Sequence, residues 1–347
     1  MNSRRFAMAL AALLIVLALV PTGLAQETAS EVPVQTIALA GPAAEQDAEI
    51  SGLAWYGDAL FLLVENPNIY ASAGNAGMFY ALHEDDILLY LLAQANGQAP
   101  APLEPLAIPV IAPDIVATVP GFDGFEAVAF SEDRVFLTIE AELADGSMRG
   151  YVVAGTIEPD LSAVTLDLEN RVELPPQTEF GNMAYESLFV ADDSLVALYE
   201  LNGASVNAEP TAYVVDMGLE TTATAPMAHV EFRVTDATTL DADEVFWAIN
   251  YFFPGEEFLA AESDPLFEQY GIGESHTQYP GVERLVAFQY SADGITLVER
   301  PPIQLFLPGE DGRNWEGIAR LGEVGLLVVT DKYPETILGF VPFPAES

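Results

Sequence analysis

Five pairs of oxygen-bearing side chains recur along this chain at a nearly constant spacing. The pairs are Ser51 and Glu65, Glu126 and Glu140, Glu186 and Glu200, Asp236 and Asn250, and Glu316 and Asp331. The two members are 14 residues apart in the first four pairs and 15 apart in the last. Carboxylate and amide oxygens are the ligands that hard cations prefer. The residue types therefore indicate cation binding, provided that the fold brings the pairs together.

Hairpins are the elements that must position these residues. Turn residues lie near the middle of each pair, at Gly57-Asp58, Glu132-Asp133, Asp192-Asp193, Asp243-Glu244 and Gly322-Glu323. A short apolar or β-branched run follows each turn and predicts a strand, over residues 60–64, 135–139, 195–199, 245–249 and 326–330. Because a hairpin brings its two ends together, we expect the paired residues to gather at one face of the protein.

Gathered carboxylates repel one another, so some must bind protons or share a cation. Ca²⁺ suits such a set because it accepts many oxygen ligands in irregular geometry. The predicted ligands are Glu126, Glu186, Asp236, Asn250 and Glu316. Zn²⁺ is disfavoured, since the chain has no cysteine and its three histidines lack ligand spacing. The alternative is that these side chains accept backbone hydrogen bonds and only fix the hairpins.

The charge balance supports a cation as the partner. The chain has 53 Asp and Glu against 11 Lys and Arg, for a net charge of −42. Such a surface disfavours nucleic acid and anionic membranes as partners. Many of these acids are also explained by surface solvation alone, but that does not explain acids at repeated positions. We expect a monomer that binds a small molecule or a phosphate ester.

The first 25 residues resemble an export signal. Arg4 and Arg5 precede an apolar stretch over residues 7–20, and Gly23-Leu24-Ala25 provides a small-residue cleavage site. A membrane anchor that is retained is the alternative, although the apolar stretch is short for spanning a bilayer. The sequence thus predicts a secreted, periplasmic or cell-envelope protein without disulfides and without stable membrane insertion after cleavage.

The remaining chain is predicted to be all-β. Further strand patterns lie between the hairpins, for example at residues 151–156, 212–215 and 285–290. The units begin 75, 60, 50 and 80 residues apart, which fits four-stranded propeller blades. The last unit is too short for four strands, so residues 34–39 are predicted to pair beside residues 337–343 and close the ring. A sixth blade is the alternative, because residues 78–92 are a further hairpin candidate with a turn at Glu84-Asp85-Asp86.

This gives a predicted organisation of signal peptide (1–25), short linker (26–33) and one β-propeller domain (34–347) with five detectable blades. An insertion over residues 253–280 interrupts the fourth unit. It begins close to Asn250 and is rich in Phe, Tyr, Pro, Gly and acids. It is either a lid over the channel mouth or a surface loop.

Five segments resemble the phytase-like domain family of secreted bacterial propellers, also described as the esterase-like activity of phytase family. They are Gly124-Phe125-Glu126-Ala127-Val128, Tyr185-Glu186-Ser187-Leu188, Arg233-Val234-Thr235-Asp236-Ala237, Asn250-Tyr251-Phe252-Phe253-Pro254-Gly255 and Asn314-Trp315-Glu316-Gly317-Ile318. The resemblance covers nearly the whole mature chain. It implies hydrolysis of phosphate or carboxylic esters with calcium. Ser51 departs from the pattern, because it stands where the other copies have an acid.

Phosphate-ester hydrolysis requires neutralisation of the charge on the transferred group. The candidates beside the repeated acids are Arg233, Arg313 and Lys332, which would orient the anion while a metal ion polarises it. A surface role for Lys332 is the alternative. A Ser-His triad is disfavoured, since Gly273-Glu274-Ser275-His276 places the two groups side by side in a loop. The rival to an enzyme is a non-catalytic envelope propeller with a structural ion.

Overall fold

The computed structural model describes residues 29–259 and 261–344. The predicted signal peptide lies outside these residues. Strands are the main regular secondary structure of the described residues, which confirms the predicted β class. None of the helices in the described part has the length and apolar character needed to cross a bilayer.

Twenty-two strands within residues 29–259 and 261–344 form four hydrogen-bonded sheets. In chain order they are β1 Glu31–Val32, β2 Gln35–Ile37, β3 Ile50–Tyr56, β4 Ala59–Val64, β5 Gly77–His83, β6 Leu106–Ile111, β7 Phe122–Ser131, β8 Arg134–Glu142, β9 Met148–Ile157, β10 Val164–Leu174, β11 Ser187–Ala191, β12 Ser194–Leu198, β13 Thr211–Asp216, β14 Thr222–Pro226, β15 Arg233–Ala237, β16 Val245–Phe252, β17 Val282–Ser291, β18 Gly294–Leu297, β19 Ile303–Leu305, β20 Trp315–Leu321, β21 Gly325–Thr330 and β22 Leu338–Pro342.

All five predicted hairpins are present. They are the antiparallel pairs β3–β4, β7–β8, β11–β12, β15–β16 and β20–β21. The largest sheet has the order β3-β4-β5-β6-β10-β9-β8-β7, so two antiparallel groups of four meet through the parallel pair β6 and β10. The sheets β11–β14 and β2-β22-β21-β20 have four strands each, and the last has six, in the order β1-β19-β17-β16-β15 with β18 beside β17.

The first strands of the five hairpins contact one another in sequence. β3 contacts β7, β7 contacts β11, β11 contacts β15, β15 contacts β20, and β20 contacts β3. Apolar side chains fill the space between neighbouring sheets; for example, Trp247 and Leu285 share a buried cluster with Ile318 and Leu326. The equivalent ends of strands far apart in the sequence are thereby neighbours.

Both ends of the described chain join sheets. β2 pairs with β22, with Gln35 opposite Phe340, as the sequence predicts for residues 34–39. Within the predicted linker 26–33, Glu31–Val32 pairs in parallel with Gln304 and Leu305 of β19.

In the described part of the chain the helices are few and short. They are α1 Glu84–Ala95, α2 Ile115–Thr118, α3 Pro265–Tyr270 and α4 Glu274–Gln278, with 3₁₀ helices at Pro42–Ala44, Gln46–Ala48, Pro67–Tyr70 and Glu257–Leu259. The hairpin candidate over residues 78–92 does not form a hairpin, because β5 ends at His83 and α1 follows. Glu84, Asp85 and Asp86 occupy the first helical turn, where acids stabilise a helix, rather than a β-turn.

Four of the repeated residues lie at β-bulges. The strand register shifts around Ser51, Glu126, Asp236 and Glu316, while Glu186 directly precedes β11. A bulge leaves its extra residue unpaired and changes the direction of its side chain. At the repeated position the side chain therefore does not follow the alternation between the two faces of the sheet.

Asp236 uses this direction to join three strands. Its Oδ2 accepts hydrogen bonds from the backbone N–H groups of Leu53 (3.1 Å) and Ile318 (2.7 Å), and its Oδ1 accepts one from Ala237 (2.8 Å). The residue has a left-handed φ of 52° and is 1% exposed. One carboxylate thus connects β15 to β3 and β20.

We expect Asp236→Ala to lower the free energy of unfolding by on the order of 3 kcal/mol or more, since each orphaned buried donor costs about 1 to 3 kcal/mol. Alanine also tolerates the left-handed backbone less well than aspartate. Urea denaturation at neutral pH with a chelator present measures the effect. Asp193→Ala, at an exposed turn, is the control. Equal stability losses in the two variants would contradict the role of Asp236.

Candidate functional site

An acidic cavity of about 350 Å³ opens at the ends of the first strands of the hairpins. Nine carboxylates and two basic side chains line it. The acids are Glu49, Glu65, Asp123, Glu126, Glu140, Glu186, Glu256, Glu316 and Asp331, and the basic residues are Arg233 and Lys332; Asn182, Tyr251, Phe253, Asn314 and Tyr333 complete the lining. The hairpin ends therefore do converge on one face, as the spacing predicts.

The bulges and a glycine position part of this set. Asp123 and Glu126 lie at two register shifts in β7, on either side of Gly124. A Cβ at Gly124 would lie 2.5 Å from Cγ of Glu65 and 2.6 Å from Oε1 of Glu126. Only a residue without a side chain leaves room for both carboxylates at this point.

Three carboxylates form the tightest group. One oxygen each of Glu49, Glu65 and Asp331 can lie within 4.8 Å of one another, a spacing that a shared metal ion can bridge. Oδ1 of Asp331 is buried and has no hydrogen-bond partner among the described residues. A buried unpartnered carboxylate oxygen is costly and is expected to bind a cation or a proton.

Hydrogen bonds orient the neighbouring acids. The Tyr251 hydroxyl donates to Oδ1 of Asn314 (2.5 Å), and the Asn314 amide donates to Oε1 of Glu316 (2.7 Å) and Oδ2 of Asp331 (3.3 Å). Asn314 thus holds two acids from opposite ends of the fifth hairpin. Its second carboxylate contact leaves Oδ1 of Asp331 available for a ligand.

Burial and mutual repulsion raise the pKa values of these acids. Burial, followed by the nearby charges of Asp331 and Glu49, raises the pKa of Glu65 to about 9. Burial and the charge of Glu200 raise the pKa of Glu140 to about 8, and burial and Glu49 raise the pKa of Asp331 to about 6. Burial first, and then neighbouring carboxylates, also raise the pKa values of Glu126, Glu186 and Glu316 well above their ordinary range.

The structure separates the five predicted metal ligands into two groups. Glu126, Glu186 and Glu316 line the cavity, and Oε2 of Glu186 is buried without a partner. Asp236 and Asn250 do not line it. The Asn250 amide donates to the carbonyls of Glu231 and Arg233, both at 2.8 Å, and its Oδ1 accepts from Nε of Arg284 at 2.7 Å. Asp236 thus accepts backbone hydrogen bonds, as the alternative describes, whereas Asn250 fixes its hairpin by donating to two backbone carbonyls.

The three predicted anion-binding residues also differ in position. Arg233 lines the cavity and donates to Glu200 and Glu256. Lys332 lines the cavity and donates to Glu49. Arg313 does not line it; Glu283 accepts from its Nε at 2.9 Å, and its guanidinium lies over the ring of Trp315. The structure therefore brings together two of the three.

Other candidates from the sequence have structural partners. The hydroxyl of Ser275 donates to Oε1 of Glu31 (2.6 Å), and Nδ1 of His276 lies 2.7 Å from the same atom. Serine and histidine thus both bind a carboxylate instead of each other, and no triad forms there. Among the aromatic residues close in sequence to the repeated acids, Tyr251 lines the cavity, whereas Tyr185, Trp247 and Trp315 are buried in apolar clusters.

Sequence reasoning missed Glu49, Asp123, Asn314 and Glu256 as cavity residues. Glu49 precedes Ser51 by two residues and has a left-handed φ of 44°. Glu49 gives the first hairpin an acid, which Ser51 does not provide. The Ser51 hydroxyl instead donates to the Phe125 carbonyl at 2.5 Å. In the sequence, the indication was that an acid lies two residues before Ser51, the one repeated position without an acid. Glu256 and Phe253 come from the insertion, which therefore does reach the cavity.

Comparison with known proteins identifies no family. No family model matches the chain, and no curated protein matches its sequence. Solved structures with a similar path include a glucose dehydrogenase (12% identity, TM-score 0.45, 88% of this chain and 98% of that chain). Another is the soluble aldose sugar dehydrogenase of Escherichia coli (11% identity, TM-score 0.45, 90% of this chain and 100% of that chain). A third is a thermostable family-43 glycoside hydrolase (9% identity, TM-score 0.46, 90% of this chain and 94% of that chain). Similarity at this level assigns no activity to this chain.

The raised pKa values predict that the metal-free protein loses stability as the pH rises. Below about pH 4.5 the carboxyls are protonated in both the folded and the unfolded chain. Between that pH and the folded-state values of about 8 for Glu140 and about 9 for Glu65, only the folded protein retains the protons, so its stability falls steadily. Urea denaturation with chelator at pH 5 and pH 8.5 measures this change, expected to be on the order of a few kcal/mol.

Glu65→Gln tests the contribution of Glu65, because the glutamine amide is neutral at every pH. The free energy of unfolding of this variant should therefore depend less on pH. Glu310→Gln, at an exposed position, is expected to behave as the unmodified protein. Stability that is constant or rises from pH 5 to pH 8.5 would contradict the assignment.

Proposed function

We propose that this chain is an exported, monomeric five-bladed β-propeller whose acidic cavity binds Ca²⁺. The observation that carries the proposal is the group of Glu49, Glu65 and Asp331, with its buried and unpartnered Asp331 oxygen. The other acids of the cavity add negative charge around it. A divalent cation removes repulsion that the folded chain otherwise relieves by binding protons.

The donor set favours calcium over other common ions. The closest group offers carboxylate oxygens alone, and the described residues of the cavity include no histidine. Hard oxygen donors suit Ca²⁺ and Mg²⁺, whereas Zn²⁺ prefers nitrogen and sulfur. Mg²⁺ requires nearly ideal octahedral geometry, while acids from separate hairpins form an irregular set that suits Ca²⁺.

The proposed architecture has five blades. The groups β3–β6, β7–β10, β11–β14, β15–β18 and β20–β22 with β2 supply four strands each, and their first strands contact one another in a cycle. Pairing of β2 with β22 supports closure by the N-terminal strand. Helix α1 takes the place of the sixth-blade hairpin, which supports five blades rather than six.

For the activity we propose metal-assisted hydrolysis of a phosphate ester, in keeping with the resemblance to the phytase-like family. Glu49, Glu65 and Asp331 would hold the ion, which when bound polarises a phosphoryl oxygen and makes a water molecule more acidic. Lys332 and Arg233 are the cations in the cavity lining that can contact the anion. Burial and the charge of Glu200 raise the pKa of Glu140 to about 8, so this carboxyl can exchange a proton near neutral pH.

A non-catalytic propeller with a structural ion is the second candidate. The observation in its favour is that both cations of the cavity are already paired, Lys332 with Glu49 and Arg233 with Glu200 and Glu256. In this case the surface around the cavity binds a protein or a glycan of the cell envelope.

Calorimetric titration of chelator-treated protein with Ca²⁺ tests the ion site. We expect Asp331→Asn to weaken binding by about tenfold or more, because it removes one charged ligand. Asp193→Asn, which changes the same charge at an exposed turn, should bind as the unmodified protein does. No Ca²⁺ binding, or equal binding in both variants, would refute the ion site.

The same proteins distinguish the two functions. Phosphate release from p-nitrophenyl phosphate or phytate with Ca²⁺, lost in Asp331→Asn, supports the enzyme. Calcium binding without turnover of either substrate would favour the non-catalytic propeller.

A further inference from the structure

Glu256 makes a two-point contact with Arg233 in the cavity. Its two carboxylate oxygens accept from Nε (3.0 Å) and Nη2 (2.5 Å) of Arg233. This two-point arrangement is the one by which a guanidinium binds a carboxylate or a phosphoryl group. Glu256 belongs to the insertion, whereas Arg233 begins β15 at the ring.

The two acids that accept hydrogen bonds from Arg233 are not equivalent. Glu200 accepts from Nη1 and its side chain is 0% exposed, at the end of the third hairpin. Glu256 is 17% exposed and lines the open cavity. Glu200 therefore fixes the guanidinium from the inside, and Glu256 occupies the side that a ligand in the cavity would approach.

Contacts elsewhere hold the rest of the insertion in place. Asp264 accepts from Nη1 of Arg284 at 2.5 Å, and Arg284 also contacts the ring of Phe267. Ser275 and His276 bind Glu31 of β1. Loss of the Glu256 contact therefore leaves these other contacts of the insertion intact.

We propose that the outward fork of Arg233 is the oxyanion-binding subsite of the cavity and that Glu256 is an internal ligand which the bound anion displaces. The ligand class is an anion with two adjacent oxygens, either a phosphoryl group or a carboxylate. This inference deepens the proposed function and rests on it for the role of the anion. The Glu256 carboxylate keeps Arg233 paired inside an acidic cavity until an anion competes for the fork.

Labelling of arginine with phenylglyoxal, resolved by peptide mass spectrometry, tests the proposal without an activity assay. In the unmodified protein Arg233 should react slowly. Glu256→Gln should raise its rate by about tenfold or more, because a charge-assisted pair is lost. Glu262→Gln changes the same charge at an exposed position of the insertion and should leave the rate unchanged. Exposed Arg300 should react equally in all proteins and serves as the internal control.

Competing anions then identify the ligand class in the calcium-loaded Glu256→Gln variant. Inorganic phosphate should slow the labelling of Arg233 but not that of Arg300. Protection by phosphate alone assigns a phosphoryl group, and protection by acetate as well assigns a general oxyanion subsite. Equal labelling of Arg233 with and without Glu256, or no protection by either anion, would overturn the proposal.

Two further measurements separate folding and ion effects from this result. Glu256→Asp keeps the charge but shortens the side chain, so an increase in Arg233 labelling there shows that the two-point contact matters rather than the charge alone. Slow labelling of the fully buried Arg284 in every variant shows that the variants are folded. Failure of Ca²⁺ binding in the unmodified protein would reject the proposed ion site, while the labelling contrast at Arg233 would still stand.

Discussion

Repulsion among carboxylates that share one cavity is the constraint on which the structure of this protein depends. Nine acids face two basic side chains there, and both basic side chains already contact acids. Folding alone therefore leaves negative charge close together and away from bulk water. The chain can tolerate this by keeping carboxyls protonated, which the raised pKa values of Glu65 and Glu140 describe, or by binding a cation.

The fold assigns one repeated position to two different tasks. At Glu126 and Glu316 the bulge directs a carboxylate to the cavity, while at Asp236 the same bulge directs it to the backbone of two neighbouring strands. Asn250, at the other end of the same hairpin, joins Arg284 and through it the insertion. The fourth hairpin thus holds the ring and the insertion in place, and the other hairpins supply the acids.

The sequence predicts the hairpins well because the turn residues and the apolar runs are local signals. It also predicts pairing of the N-terminal strand with the last hairpin, since that hairpin lacks a fourth strand. Local signals could not predict which backbone and side-chain groups Asp236 and Asn250 bind. Their partners Leu53, Ile318 and Arg284 are distant in the sequence. Helix α1 was missed for a different reason: acids that favour a turn also favour the first turn of a helix.

The site was only partly predictable for the same physical reasons. Equal spacing identified Glu126, Glu186 and Glu316, whereas Glu49 reaches the cavity through a left-handed backbone conformation outside the repeat. Glu256 comes from an insertion with no repeat at all. Irregular segments thus complete a set that regular hairpins begin, and these are the segments in which spacing gives no information.

Proton release on calcium binding tests the central claim most directly. Ca²⁺ requires ionised ligands, and the folded cavity retains protons near neutral pH, so binding must expel them. Titration calorimetry at pH 7 in buffers with different enthalpies of ionisation measures the number of protons released. We predict tight binding with net proton release that becomes smaller as the pH rises towards 9. Absence of calcium binding, or binding with no exchange of protons, would contradict the account.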